Sequence, residues 1–288
     1  MQYIGEMFKL LRTSRHISLK EATGDDFSHS MLSRFENGES DITISKLLVG
    51  LSNIRTELNE FIYLANGFKP SPYAVLKQEI WEAISKKDLS SLHQLYTKEL
   101  EQYHLYKKDI YFLNALMIKS QMLFLDENIK MTPDEQSFLY DYLFSVEIWG
   151  IYELQLFSDI SPLLSLDVYL RYTREMLGRV DFFEELWQHR NLVHSILLNG
   201  LFKATQEKRL GIAAYFDKMI NNHFFEENDT YLRIVYMIAD GQHLYCKGEK
   251  ELGLKQINDA IHILKALNCD ESAAYYSDSL EKWLKEVE

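Results

Sequence analysis

Chain breakers are scarce here: 288 residues carry four prolines and twelve glycines. That argues against a turn-rich β protein and leaves room for long helices. Runs of alternating β-branched residues long enough to specify a sheet are also missing. Cys246 and Cys269 are the only cysteines, too few and too far apart for a zinc site or a disulfide framework, so buried thiols are the plain expectation. Nothing approaches the roughly eighteen uninterrupted apolar residues of a membrane span. Glu6 and Lys9 interrupt the N-terminal pattern where a signal peptide needs an apolar run. A cytoplasmic protein with no membrane partner is expected. There is no Gly-rich phosphate loop, no nucleophile elbow and no His-Glu-x-x-His. His189 and His194 are five apart, the wrong interval for one helical face, and Glu185 and His189 are spaced as an ordinary surface pair. No enzyme, cofactor or metal site is expected. Positive charge is short as well: the net charge is −12, and residues 1–66 hold seven Lys or Arg against nine Asp or Glu. The overall basic footprint usual for nucleic-acid binding is therefore absent.

What is present is concentrated in one segment, Ser28-His-Ser-Met-Leu-Ser-Arg-Phe-Glu-Asn-Gly38. At about 100° per helical residue, His29, Ser30, Ser33, Arg34 and Asn37 fall within an arc of roughly 140°, while Leu32 and Phe35 point the other way. Arg can fork onto guanine, and Ser or Asn can bond most base edges, so the polar face has the chemistry for reading a major groove of double-stranded DNA. Asn37-Gly38 supplies a left-handed helix stop. Upstream, Ile4, Phe8 and Leu11 lie at helical spacing, Ser18-Leu-Lys-Glu21 reads as a capping box, and Gly24 sits where the chain must turn. Downstream, Thr43 can cap a helix carrying Ile44, Leu47, Leu48 and Leu51, and Leu58 to Leu64 gives a fifth. Five short helices in this span form the layout of a repressor-like helix-turn-helix module. Arg12 on the first helix and Glu36 on the third are candidate partners that would lock the angle between them. The available cations are grouped: Arg12, Arg15 and Lys20 are assigned to backbone phosphates, and Ser28, His29, Ser30, Ser33, Arg34 and Asn37 to the reading face. The bland alternative is a small bundle whose polar face is simply solvated.

Three regions follow: a DNA-binding domain over 1–66, a linker over 67–73 stiffened by Pro70 and Pro72, and a helical domain over 74–288. In the last region the periodicity predicts helices over 74–87, 89–104, 108–126, 133–147, 149–158, 165–179, 183–205, 208–222, 229–246, 250–267 and 271–286. Asp88, Thr132-Pro133 and Asp229 serve as starts. Gly241, Leu244, Gly253, Ile257 and Ala260 fit a tetratricopeptide helix pair, and Gly200 and Gly211 lie 41 and 42 residues before Gly241 and Gly253. The fold class read from this pattern is all-α, a helix-turn-helix domain followed by a tetratricopeptide-like α-solenoid. Its concave surface would suit an extended peptide or a partner helix.

Ser33-Arg-Phe-Glu36, the following Gly38-Glu-Ser-Asp-Ile-Thr-Ile-Ser45, and Glu147-Ile-Trp-Gly-Ile-Tyr-Glu153 resemble the Rgg/GadR/MutR regulators of Gram-positive bacteria. The resemblance spans essentially the full length, specific in the N-terminal motif and looser beyond it. It implies a homodimeric transcription regulator with a tetratricopeptide-like domain that binds a short, imported, hydrophobic signalling peptide, as in quorum sensing. RNA polymerase is a further partner such a regulator could have. Some relatives bridge their dimer through a cysteine in the DNA-binding domain. This chain has Ser45 in that neighbourhood and no cysteine before Cys246, so pairing would rest on packing.

An extended peptide needs donors and acceptors, which Asn offers together. Asn114, Asn191 and Asn199 are candidate groove residues on that ground, with Trp149, Tyr152 and Glu153 as a cluster on one helical face. Arg190 and Arg233 are candidates to receive a carboxylate, and Tyr236, Asp240 and His243 are further candidates. Two other readings stay open. One is a helical-repeat adaptor that binds a protein partner. The other is a regulator whose C-terminal domain only oligomerises.

Overall fold

The computed structural model describes residues 3–67, 72–180, 186–222 and 226–287. Sixteen α-helices and one 3-10 turn account for the described regular structure, with no strand among the described residues. They divide between two compact units, residues 1–81 and 82–288, the division falling inside the sixth helix. Of the expected linker, residues 68–71 lie outside the described residues.

The first unit holds α1 (Tyr3–Ser14), α2 (Leu19–Thr23), α3 (His29–Glu36), α4 (Ile44–Asn53) and α5 (Leu58–Ala65). The start of α6 (Pro72–Ser85) also belongs to it. Helix starts follow the sequence chemistry. Ser18 Oγ accepts from the Glu21 amide at 3.2 Å while the Glu21 carboxylate accepts from the Ser18 amide at 2.7 Å, a reciprocal capping box. Ser28 and Thr43 cap α3 and α4 by their side-chain oxygens alone, accepting from the amides of Met31 and Lys46. Gly24 and Gly38 both take positive φ, 54° and 72°, which a side chain resists. At Gly38 the next two amides fold back onto α3: Gly38 N–H donates to the Phe35 carbonyl and Glu39 N–H to that of Arg34. The core is Phe8, Ala22, Leu32, Phe35, Leu51, Ile54 and Phe61, with Phe8 edge-on to both Phe35 and Phe61. Asn53 Nδ2 donates to the Ala22 carbonyl at 3.0 Å and ties α4 to α2. Gly5 brings α1 against the end of α3 so closely that a Cβ there would stand 2.0 Å from the Phe35 carbonyl oxygen.

The second unit holds α7 (Leu89–Tyr106), α8 (Asp109–Met122), α9 (Pro133–Ser145), α10 (Ile151–Ile160) and the turn Ser161–Leu163. It continues through α11 (Leu166–Leu177), α12 (Trp187–Gln206), α13 (Leu210–Asn222), α14 (Thr230–Cys246), α15 (Lys250–Ala266) and α16 (Asp270–Val287). Each of the eleven helices expected over 74–288 has a counterpart among α6 to α16, with ends shifted by a few residues; residues 183–185, the expected start of one of them, lie outside the described residues. Helices α7 with α8, α12 with α13, and α14 with α15 pack as neighbours across short joints, the helix-pair architecture of a solenoid. The closest approach is at Gly241 and Gly253: a Cβ on either would stand within 3 Å of the other helix's backbone. Gly200 serves a related purpose against the Phe216 ring, which a Cβ would meet at 2.2 Å, whereas Gly211 has nothing within 4 Å and is no equivalent of Gly253. No helix among the described residues is long and apolar enough to cross a membrane.

Several expectations are corrected here. His189 is buried, its Nε2 at 2.9 Å from the Trp149 carbonyl oxygen, so it is no surface pair; Glu185 lies outside the described residues. Asp88 caps α7 through the Ser91 amide as expected, but the Asp229 carboxylate accepts from the Glu226 amide behind it and does not cap α14. Both thiols are half-buried and free, not fully enclosed.

Candidate functional site

In the first unit α3 presents the expected polar row. His29, Ser30, Arg34 and Asn37 are exposed and Ser33 is half-buried, while Leu32 and Phe35 enter the core. Ser28 is exposed, but its Oγ is engaged by the helix start. Lys9 on α1 donates to Asn37 Oδ1 at 3.1 Å, a cation at the end of the row that the sequence reading did not select. Arg15 and Lys20 are exposed and available to an anion, although Arg15 also donates to its own Leu11 carbonyl.

Arg12 is a correction. Its Nε and Nη2 donate to the two oxygens of Glu36 at 2.6 and 2.7 Å, Nη1 donates to the Ile17 carbonyl, and both side chains are buried. The hydrogen bonding to the Glu36 carboxylate raises the guanidinium pKa further above its ordinary value. With its donors consumed inside the fold, Arg12 is not offered to a phosphate; it fixes α1 against the end of α3, as the alternative assignment of this pair anticipated.

In the second unit a cavity of about 470 Å³ is walled by the successive first helices α12 and α14, by α16, and by the chain around Pro162. Asn199, Phe202, Lys203 and Gln206 line it from α12, Ile238 and Gln242 from α14, and Tyr275, Tyr276 and Trp283 from α16. Its size suits part of an extended peptide, and the mix of aromatic walls with a few polar groups is typical of ligand sites. A larger cavity of about 690 Å³ lies among the α8–α9 connection, α9 and α11, and none of the expected peptide residues lines it.

Of the eleven residues named as groove candidates, Asn199 alone is in the α12–α14–α16 cavity wall. Trp149 is fully buried and donates its indole N–H to the Leu143 carbonyl, so it is core. Glu153 accepts from the Gly150 amide and the Tyr142 hydroxyl, and the ring of Tyr152 stands edge-on to Tyr142; this cluster builds the start of α10. Asn114 donates to Glu99 between α8 and α7. Asn191 buries its side-chain oxygen, and Arg190 and Arg233 both turn to Glu226, one through its carboxylate and one through its carbonyl. Tyr236 donates to Asp217 on α13, and Asp240 accepts from Gln256 on α15. The physical reason is rotation. Tyr236, Asp240 and His243 stand roughly 140° to 200° around α14 from Ile238, on the side turned to α13 and α15. His243 is buried there, with neither ring nitrogen hydrogen-bonded among the described residues, and burial lowers its pKa. Lys203, Gln206 and Gln242 were missed, although Lys203 and Gln206 share the face that Asn199 marks.

Comparison with known proteins places these features in context. A family model described as "HTH-type transcriptional regulator Rgg, C-terminal domain" matches residues 93–278. The crystal structure of the Streptococcus dysgalactiae SHP pheromone receptor Rgg2 superposes with a TM-score of 0.82 at 24% identity, over 98% of this chain and 99% of that one. A Listeria monocytogenes EGD-e protein superposes with a TM-score of 0.84 at 20% identity, over 99% and 98%. A complex of PrgX with iCF10 gives 0.79 at 16% identity, over 98% and 96%.

Proposed function

Because this chain belongs to the Rgg family of helix-turn-helix transcriptional regulators, we propose that it is a dimeric, cytoplasmic DNA-binding regulator controlled by a short peptide held in the α12–α14–α16 groove. The observation that carries this reading is the exposed row of His29, Ser30, Arg34 and Asn37 on a helix clamped from behind by Arg12 and Glu36. Base reading needs donors fixed in register on a rigid rod, and that clamp supplies the rigidity. Arg15, Lys20 and Lys9 supply local positive charge for phosphates in a chain whose net charge is −12, which would repel duplex elsewhere.

Ile44 and Leu48, one turn apart on α4, are 60% and 44% exposed, an apolar strip that a second copy would cover. Such pairing would present two reading helices to the half-sites of one operator. The peptide reading draws support from the shared fold with a pheromone receptor and with PrgX solved in complex with iCF10. A peptide would act through unequal affinity for dimer states that do and do not match the operator spacing. Contact with RNA polymerase would follow if the effect is activation.

The test is a gel shift of the full-length protein on the duplex upstream of its own gene, with and without short hydrophobic peptides. A specific shift whose affinity changes with peptide supports the reading. An adaptor would not shift the duplex at all, and a regulator with a purely oligomerising C-terminal domain would shift it identically with or without peptide.

A further inference from the structure

Two hydrogen-bond donors without acceptors lie in the wall of the groove between α12, α14 and α16. Lys203 on α12 is half-buried among Phe202, Asn199 and the facing aromatics, and no carboxylate pairs with its ammonium among the described residues. Burial lowers its pKa, only partly offset by the nearby charge of Glu207. Trp283 on α16 is 5% exposed, and its buried indole N–H has no acceptor among the described residues. The other charged residues of the wall, Lys282 and Glu286, are exposed on α16 one turn apart and can satisfy each other or water. A half-buried ammonium and a buried indole N–H without an acceptor among the described residues line one cavity, and both are answered by the same complement, an acceptor bearing negative charge.

The geometry points to Lys203 as the receiver of a carboxylate on the bound peptide, with the aromatic walls taking its apolar side chains. Arg190 and Arg233, the sequence-level candidates for that task, are turned to Glu226 and leave the role to this residue. The inference rests on the peptide reading of the groove. The carboxylate can come from the peptide's C-terminus or from an acidic side chain, and the chemistry at Lys203 is the same.

The experiment uses full-length protein and three pools of eight-residue synthetic peptides built from Gly, Ala, Val, Ile, Leu and Phe. The first has free C-terminal carboxylates, the second is amidated, and the third is amidated with one internal Asp or Glu. Peptides co-eluting with protein on a sizing column are identified by mass spectrometry, and the best of each pool is titrated. The expected result is retention of the first or the third pool at least tenfold more strongly than the second. Which of the two is retained identifies the source of the carboxylate. Lys203→Met should erase the preference while leaving the melting temperature near wild type, and Lys203→Arg should restore it. Trp283→Phe should weaken it by a smaller factor. Equal retention of all three pools, or a preference that survives Lys203→Met, overturns the role of Lys203 and leaves the peptide groove standing. Retention of no pool overturns the groove reading, and this inference with it.

Discussion

Arg12 and Glu36 meet through two parallel N–H···O contacts of 2.6 and 2.7 Å, closed off from solvent between α1 and the end of α3. Removing one partner strands the other as a buried charge. Arg12→Ala and Glu36→Ala should each destabilise the first unit by about 3–5 kcal/mol. Arg12→Ala combined with Glu36→Ala should cost clearly less than the sum, because neither charge is then left alone. Urea denaturation of the four proteins checks this, and strictly additive losses would show that the pair is not coupled.

On DNA, Arg34 and Arg15, two exposed arginines of the module, should behave differently. Arg34→Ala should weaken binding to the cognate operator by about 1–3 kcal/mol more than to random duplex. Arg15→Ala should weaken both alike and reduce the dependence of log K on log salt by about one. Fluorescence anisotropy across a salt series reads both, and equal losses for Arg34→Ala on the two duplexes would exclude base reading.

Two glycines of the second unit should respond to the same substitution with opposite sign. Gly241→Ala places a methyl 2.6 Å from Ile257 Cγ1 and 2.8 Å from the Gly253 carbonyl oxygen, so α14 and α15 must part. A loss of about 1–3 kcal/mol or more is expected, as for overpacked cores. Gly211→Ala meets nothing within 4 Å near the start of α13 and should be neutral or stabilising by up to about 1 kcal/mol. Thermal melts distinguish them, and a tolerated Gly241→Ala would mean the helices are not in backbone contact.

Mild acid should act on His243. Burial is the largest cause of its lowered pKa, followed by the charge of Lys247, with Asp217 on α13 and Asp240 on α14 opposing. The unfolded chain takes up a proton near pH 6.5 while the folded one resists, so stability is complete above that pH and declines as pH falls towards the depressed folded value. The melting temperature of wild type should therefore drop between pH 7 and 5, and that of His243→Met should drop less. Parallel curves for the two proteins would show that this imidazole does not contribute.

Legibility differed sharply between the two units. In the first, caps, turn glycines and the two-sided pattern of α3 are local, and they specify local geometry: Ser18 with Glu21, Ser28 and Gly38 do in the fold what their spacing requires. Arg12 defeated half of its assignment because charge on a short helix suggests a wet surface, while its burial depends on Gly5 admitting α1 close to Phe35. In the second unit the helices were readable from period alone, but which face of α14 looks into the groove is decided by its neighbours. Ile238 and Gln242 carry no local mark that sets them above Tyr236 and Asp240, whose polarity serves contacts to α13 and α15. Joint positions were blurred too, since Lys87, Lys107, Lys208 and Asn268 take left-handed conformations without a glycine to announce them. In Glu147–Glu153, Trp149 is spent on the core and Glu153 on the Gly150 amide and the Tyr142 hydroxyl, so both shape the start of α10.

The contact between Lys9 and Asn37 sets a grammar for the end of the reading helix. An ammonium can only give hydrogens, so the amide must turn its oxygen inward to it and its NH₂ outward. Facing a base pair, such a group offers hydrogens and asks for lone pairs: purine N7, guanine O6 or thymine O4 would answer it, and the amino group of cytosine would not. On the proposed DNA-bound form, a cation one helix away would thus select which letters Asn37, the C-cap of α3, accepts.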